Sequence, residues 1–160
     1  MKEIVIKNTI ESYKEEELCE DDRRLIDVAK KATDSSYAPY SNFRVGAAAL
    51  LKNGTIVKGA NQENAAYPSG LCAERTALFS AGANYPEEPV VALAIAARNA
   101  GGFIPSPIPP CGACRQVILE TEARYHHPIR IILYGTEETY VINGISTLLP
   151  LSFEASSMEA

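Results

Sequence analysis

The chain has 160 residues, of which 46% are hydrophobic and 22% charged, which suits one compact domain with a buried core and excludes a disordered polypeptide. Lys and Arg number 15 against 20 Asp and Glu, a net charge of −5 with the basic residues scattered, so neither a phosphate-tracking surface nor a nucleic-acid polymer as partner is expected. The opening "MKEIVIKNTIESYKEEE" carries Glu3 and no apolar run of signal-peptide or membrane-spanning length, so the expected location is the cytoplasm, with no membrane partner. Cysteines stay reduced there, and four of them point to metal ligation, catalysis or free thiols rather than disulfides.

No repeat or Gly/Ser linker divides the chain, so a single domain is expected over residues 21–155, with an N-terminal extension at 1–20 and a tail at 156–160. Within the extension, "EIVIK" reads equally as an added edge strand or a tether, and "YKEEEL" as a charged linker. From a cap at Asp21 or Asp22, Leu25, Val28, Ala29 and Ala32 recur at helical spacing and should bury one face, until "SSYAPYSN" breaks the helix. "FRVGAAALL" and "TIVKGAN" flank "KNG", whose Asn53 and Gly54 signal a hairpin. A helix opening at Cys72, the apolar strand "VVALAIAA", a helix opening at Cys111 and the apolar strand "IRIILY" follow. Apolar strands alternating with helices predict an α/β fold, a three-layer α/β/α sandwich whose mixed sheet has about five strands.

Cys111 and Cys114 in "PPCGACRQV" are one helical turn apart, so on the first turn of a helix they share a face and can bind one ion. A CxxC alone also suits a redox pair. Cys72 would bring the thiolates to three, the protein-ligand count of a catalytic zinc with its fourth position open to water. Glu74 follows Cys72 by two residues, about 200° around an ideal helix, so both can face one site only if Cys72 stands at the cap. There the orphan N–H groups and the positive end of the helix dipole favour a thiolate.

"CAE" followed by "PCGAC" resembles the zinc-dependent cytidine deaminases, in the small homotetrameric form that uses three cysteines. "YAPYSNFRVGAA", "NQENAAY" and "LLPLSF" are also similar to that family, so the resemblance runs over roughly residues 24 to 153. It implies the cytidine deaminase-like fold and one Zn2+ per chain held by Cys72, Cys111 and Cys114. It also implies hydrolysis of cytidine and 2′-deoxycytidine to uridine and 2′-deoxyuridine with release of ammonia, a step of pyrimidine salvage. In that family reading hydroxide generated at the zinc attacks C4, while Glu74 moves a proton from the water to ring nitrogen N3 and then a further proton to the leaving amine.

Other roles follow from the same resemblance. Asn61 and Glu63, which strand alternation places on one face, would hydrogen-bond the ribose, Glu63 accepting from the 3′-OH. Gln62 between them replaces an expected apolar residue and should face away. Phe43 would be the aromatic wall for the pyrimidine, and Ala73 would offer backbone groups to the base. Tyr67 and Phe153 resemble residues that reach neighbouring active sites in the tetramer. Arg75, on the side of the helix that carries Cys72, would hydrogen-bond its sulfur. Cys19 is an incidental thiol on this reading, and His126 and His127, the two histidines, sit at a helix end before Pro128, where imidazoles cap carbonyls.

Two other readings differ in what they require. A deaminase of a cytosine-containing antibiotic would share "CAE" and "PCGxC" without the "NxEN" sugar motif, which this chain has. A binding module with a purely structural zinc would need a closed fourth ligand and would give Glu74 nothing to do.

Overall fold

The computed structural model describes residues 1–158; the last two positions of the expected tail, 159–160, lie outside the described residues. The sheet comprises β1 (Glu11–Tyr13), β2 (Arg44–Leu51), β3 (Ile56–Ala60), β4 (Val90–Asn99), β5 (Gly102–Phe103), β6 (Arg130–Tyr134) and β7 (Thr139–Asn143). Its order is β1-β7-β6-β4-β2-β3, with β5 paired to the end of β4. Three helices, α1 (Glu20–Ala32), α2 (Ala73–Asn84) and α3 (Gly112–Tyr125), cover it. β4 and β6 run parallel, and the remaining pairs are antiparallel.

The sheet is thus larger than the expected five strands, by β1 and β5. β1 exists because β7 offers an open edge: Glu11, Ser12 and Tyr13 pair with Val141, Tyr140 and Thr139. Glu3–Lys7, the segment with the stronger strand pattern, is exposed and without regular structure. "YKEEEL" is no free linker either, because Glu15–Glu17 forms a short 3-10 turn that delivers Leu18 to the core.

Alternation along β2 builds two cores. Ala47, Ala49 and Leu51 face α2 and α3 with Leu93, Ile95, Ile131, Leu133 and Ile118, while Ala48 faces α1 with Ala94, Ala96, Ile132, Leu25, Ile26 and Ala29. The three-layer arrangement follows from that division. The N-cap of α1 is Cys19, two residues before Asp21 and three before Asp22, the expected caps, and Asp22 is buried against Arg130, whose Nη2 lies 2.8 Å from Asp22 Oδ2. The hairpin forms as expected, but only Gly54 takes a positive φ, so the connection is a longer loop than a two-residue type I′ turn. At Gly59 a Cβ would collide with the backbone of Ala73 and Ala77, so the missing side chain lets α2 lie directly on β3. That contact sets where α2 begins.

His126 closes α3 in the left-handed conformation, its N–H donating to the Ala123 carbonyl, and His127 Nδ1 lies 2.6 Å from the Pro128 oxygen. The helix end is closed by the backbone N–H groups of both histidines, that of His127 donating to the Glu122 carbonyl, and not by the imidazoles expected to cap it. Among the described residues, no helix is long and apolar enough to cross a membrane.

Candidate active site

Cys72 and Cys111 are the N-cap residues of α2 and α3, each in extended backbone conformation, and Cys114 follows in the first turn of α3. The two helix starts face each other. Cys72 Sγ is 3.8 Å from Cys111 Sγ, Cys111 Sγ is 3.6 Å from Cys114 Sγ, and all three sulfurs lie within 4.8 Å of one another. No disulfide joins them. Hydrogen bonding from Cys114, together with Arg75, brings the Cys72 thiol down to about 5, so it is a thiolate at neutral pH. Cys114, buried against that negative sulfur, keeps its proton. The Cys72 thiolate and the Cys111 and Cys114 sulfurs, converging at two helix N-termini, are a soft donor set suited to one zinc ion.

Glu74 lies inside the first turn of α2 and is only 5% exposed. Burial, reinforced by the charge on Cys72, raises its pKa. A carboxyl in that environment holds a proton more readily than an exposed one does. Arg75 Nη2 donates to Cys72 Sγ at 3.5 Å, as its spacing predicts, while its Nε is buried without a partner.

Beside the sulfurs opens a cavity of about 550 Å³, lined by Tyr40, Ser41, Asn61, Gln62, Glu63, Asn64, Tyr67, Gly70, Leu71, Cys72 and Arg75. Its size suits a small molecule rather than a polymer. Glu63 is fixed there by Tyr40 N–H at 2.8 Å, by Ser41 N–H at 3.3 Å and by the Ser41 hydroxyl, and the Ser41 bond above all keeps it ionised. Asn61 Oδ1 accepts from Ser36 Oγ and from Val45 N–H, and its Nδ2 donates to the Phe43 carbonyl at 3.0 Å. One N–H of the Asn61 amide is left for a ligand. Gln62 turns its side chain to the Ser35 and Ala60 carbonyls, and its backbone pairs with Leu71.

The remaining sequence-derived residues divide. Ala73 is fully buried as the first residue of α2. Tyr67 is 76% exposed and stands at the rim of its own chain's cavity, edge-to-face with Tyr40. Phe43 adjoins Asn61 through its carbonyl, but its ring is not among the residues lining the cavity. Phe153 is 62% exposed and away from the cavity; Gln116 Nε2 holds its carbonyl at 2.9 Å, and Arg115 holds that of Leu148 at 2.7 Å. Sequence reasoning passed over Ser36 and Ser41, which carry the polar pocket. Their signal was the run of turn-forming residues in "SSYAPYSN", read as a helix breaker and, from Tyr37 on, as part of the family resemblance, with no role given to either serine.

The model of the cytidine and deoxycytidylate deaminase zinc-binding region matches residues 19–126. A cytidine deaminase of Halalkalibacterium halodurans is 42% identical over 140 residues, covering 86% of this chain and 98% of the relative. The chain belongs to the cytidine deaminase family. Another cytidine deaminase, from Sporosarcina psychrophila, is 49% identical over 62% of this chain and 69% of its own length. Among solved structures, the cytidine deaminase from Burkholderia pseudomallei superposes with a TM-score of 0.69 at 41% identity, covering 82% of this chain and 98% of that one. The cytidine deaminase from Mycobacterium tuberculosis superposes at 0.61 with 35% identity, over 82% and 96% of the two chains. The cytidine deaminase fold expected from the sequence is therefore the one observed, and the stretch matched by the family's zinc-binding region contains all three cysteines of the cluster.

Proposed function

We propose that this chain hydrolyses the C4 amino group of cytidine and 2′-deoxycytidine, yielding uridine and 2′-deoxyuridine with ammonia, as part of pyrimidine salvage in the cytoplasm. The observation that carries the reading is a buried carboxyl, Glu74, on the same first helical turn that follows the metal-binding thiol Cys72. A purely structural metal gives such a carboxyl no use.

Cys72, Cys111 and Cys114 would hold the zinc, which would supply a Lewis acid able to make hydroxide available near neutral pH. Glu74 takes one proton of the attacking water and gives it to N3 of the pyrimidine; once the C4–O bond has formed it takes the remaining hydroxyl proton and gives it to the amino group, which leaves as ammonia when the C4–N bond breaks. Burial keeps these protons from leaking to solvent between the transfers. The Ala73 backbone meets the base, Glu63 accepts from the ribose 3′-OH and the spare Asn61 N–H donates to a sugar oxygen; the Phe43 ring, outside the cavity lining, is assigned to the pyrimidine on the family resemblance alone. Glu63 can accept because Ser41 and the Tyr40 N–H already hold it ionised and in place. Residues 21–155 form the catalytic unit on this reading. We assign it to a homotetramer in which Phe153, and Tyr67 from the cavity rim, meet a neighbouring site; both are exposed in the single chain.

The test is the ultraviolet absorbance of zinc-loaded protein mixed with cytidine, 2′-deoxycytidine or adenosine, with ammonia assayed in parallel. One ammonia per cytidine or deoxycytidine consumed, and none from adenosine, is the expected result. Unchanged spectra with both pyrimidine nucleosides would overturn the proposal.

A further inference from the structure

The N-terminal strand and the proline-rich segment before Cys111 meet on one turn, Gly135–Glu138, between β6 and β7. From one side, Ser12 Oγ donates to Glu138 Oε2 at 2.7 Å and Lys14 Nζ to the Glu137 carbonyl at 2.8 Å. From the other, Thr136 N–H donates to the Ile104 carbonyl at 3.0 Å and Glu137 N–H to that of Pro105 at 3.1 Å. Both partners also share an apolar base. Tyr13 and Leu18 from the N-terminal segment pack in the same cluster as Phe103 and Tyr134, whose rings meet edge-to-face at 5.8 Å.

Gly135 is the point of closest approach. Its φ lies outside the left-handed region, so alanine would be free to adopt the backbone conformation. A Cβ there would nevertheless run into the Pro105 carbonyl oxygen and stand 2.8 Å from the Glu138 oxygen and 2.9 Å from the Pro107 nitrogen. These are backbone atoms, which cannot swing aside as a side-chain tip can. Pro105, Pro107, Pro109 and Pro110 then fix φ at four of the six positions between Ile104 and Cys111, so a shift at Pro105 is carried along the segment instead of being absorbed. Arg115 Nε, bonded to the Pro110 carbonyl at 2.9 Å, couples the end of that segment to α3.

We propose that the Gly135–Glu138 turn is a positioning element for Cys111. β1 clamps the turn through Ser12 and Lys14, the turn seats Ile104–Pro107, and the stiff run of prolines places the N-cap of α3. The proposal rests on the reading of Cys111 as a zinc ligand. Both β1 and the turn lie outside residues 19–126, the stretch matched by the family model.

The experiment compares full-length parent, Gly135→Ala, the double variant Ser12→Ala/Lys14→Met, and Cys111→Ala. For each, zinc release to a chromophoric chelator is timed, the Co2+-substituted protein's visible and sulfur-to-cobalt bands are recorded, and Tm is measured. Gly135→Ala should release zinc on the order of tenfold faster, the scale on which groups behind metal ligands act, with displaced cobalt bands. The double variant should move both readouts in the same direction by less, and Cys111→Ala should lose the parent's cobalt spectrum. A lower Tm with the parent's zinc release and cobalt bands in both turn variants would make the turn merely structural and overturn the proposal. If Gly135→Ala fails to fold, the surface double variant decides by the same criteria. A parental cobalt spectrum in Cys111→Ala would instead overturn the ligand reading, and the proposal with it.

Discussion

Arg75 Nη2 lies 3.5 Å from Cys72 Sγ, with the arginine one turn into the helix that the cysteine caps. The contact matters because three thiolates around Zn2+ leave a net negative centre, a weaker Lewis acid than one held by neutral imidazoles. A guanidinium hydrogen bond draws charge from one of the sulfurs.

Arg75→Gln should therefore bind zinc about 10- to 100-fold less tightly. The acid limb of its rate profile should move to higher pH, each unit of movement corresponding to about 1.4 kcal/mol. Chelator competition and a pH series of kcat measure the two effects. Parental values of both would reduce Arg75 to a helix residue with no influence on the metal.

Glu74→Gln preserves shape and removes the proton carrier. Zinc content and Tm should stay near those of the parent, while kcat falls by at least about 10²-fold, the lower range for losing general acid–base catalysis. Near-parental turnover in a zinc-replete variant would take Glu74 out of the chemistry.

For Glu63→Gln, kcat/KM for cytidine should drop about tenfold, the scale of a hydrogen bond to a charged group. The loss should shrink for a nucleoside lacking the 3′-hydroxyl, since that substrate never offered the donor. Undiminished discrimination between the two nucleosides would show that Glu63 does not read the hydroxyl.

Glu122 stands apart from the pocket. Its Oε1 accepts from Ile129 N–H at 2.9 Å and from Ile145 N–H at 3.0 Å, tying the end of α3 to β6 and to the turn after β7. Burial raises its pKa, against the opposing pull of those two bonds and of His127. A raised folded pKa means that the group's stabilising contribution is full below the ordinary range, about 4.3 for glutamate, and fades as pH climbs through the folded value. Glu122→Gln retains the accepting oxygen without the buried charge. Its Tm should exceed the parent's at pH 7 by on the order of 2 °C and converge with it near pH 4. Thermal melts across that range would contradict the account if the two curves ran parallel.

Local patterns made much of this molecule legible. The apolar spacing of Leu25, Ala29 and Ala32 and the continuous run in β4 are each written within one element, and helix spacing linked Arg75 to Cys72 correctly. What escaped depends on partners distant in the chain. β1 is three residues long and is specified by β7, more than 120 positions later, so no pattern within "ESY" could announce it. The buried pairing of Asp22 with Arg130 spans 108 positions, and it took Asp22 from its expected cap into the interior. Asn61 shows the same limit within the site. Its residue type suggested sugar binding, but three of its hydrogen bonds hold Ser36, Phe43 and Val45, which only the folded loop reveals.

The antiparallel register of β2 on β4 gives the sheet two ends with different duties. Arg44 pairs with Arg98 at one end, beyond which the chain turns towards Cys111, whereas Leu51 pairs with Val90 at the other, beside the Lys52–Gly54 loop. The cysteines and their supports crowd the first end, where a change in loop length displaces a ligand. The second end carries a glycine at positive φ in open space, with no neighbour for an added side chain to strike. Loop length can change there while the chemistry stays fixed, provided the turn keeps glycine at its positive φ, which makes the Lys52–Asn53 junction a natural place to insert an affinity handle or a fluorescent label.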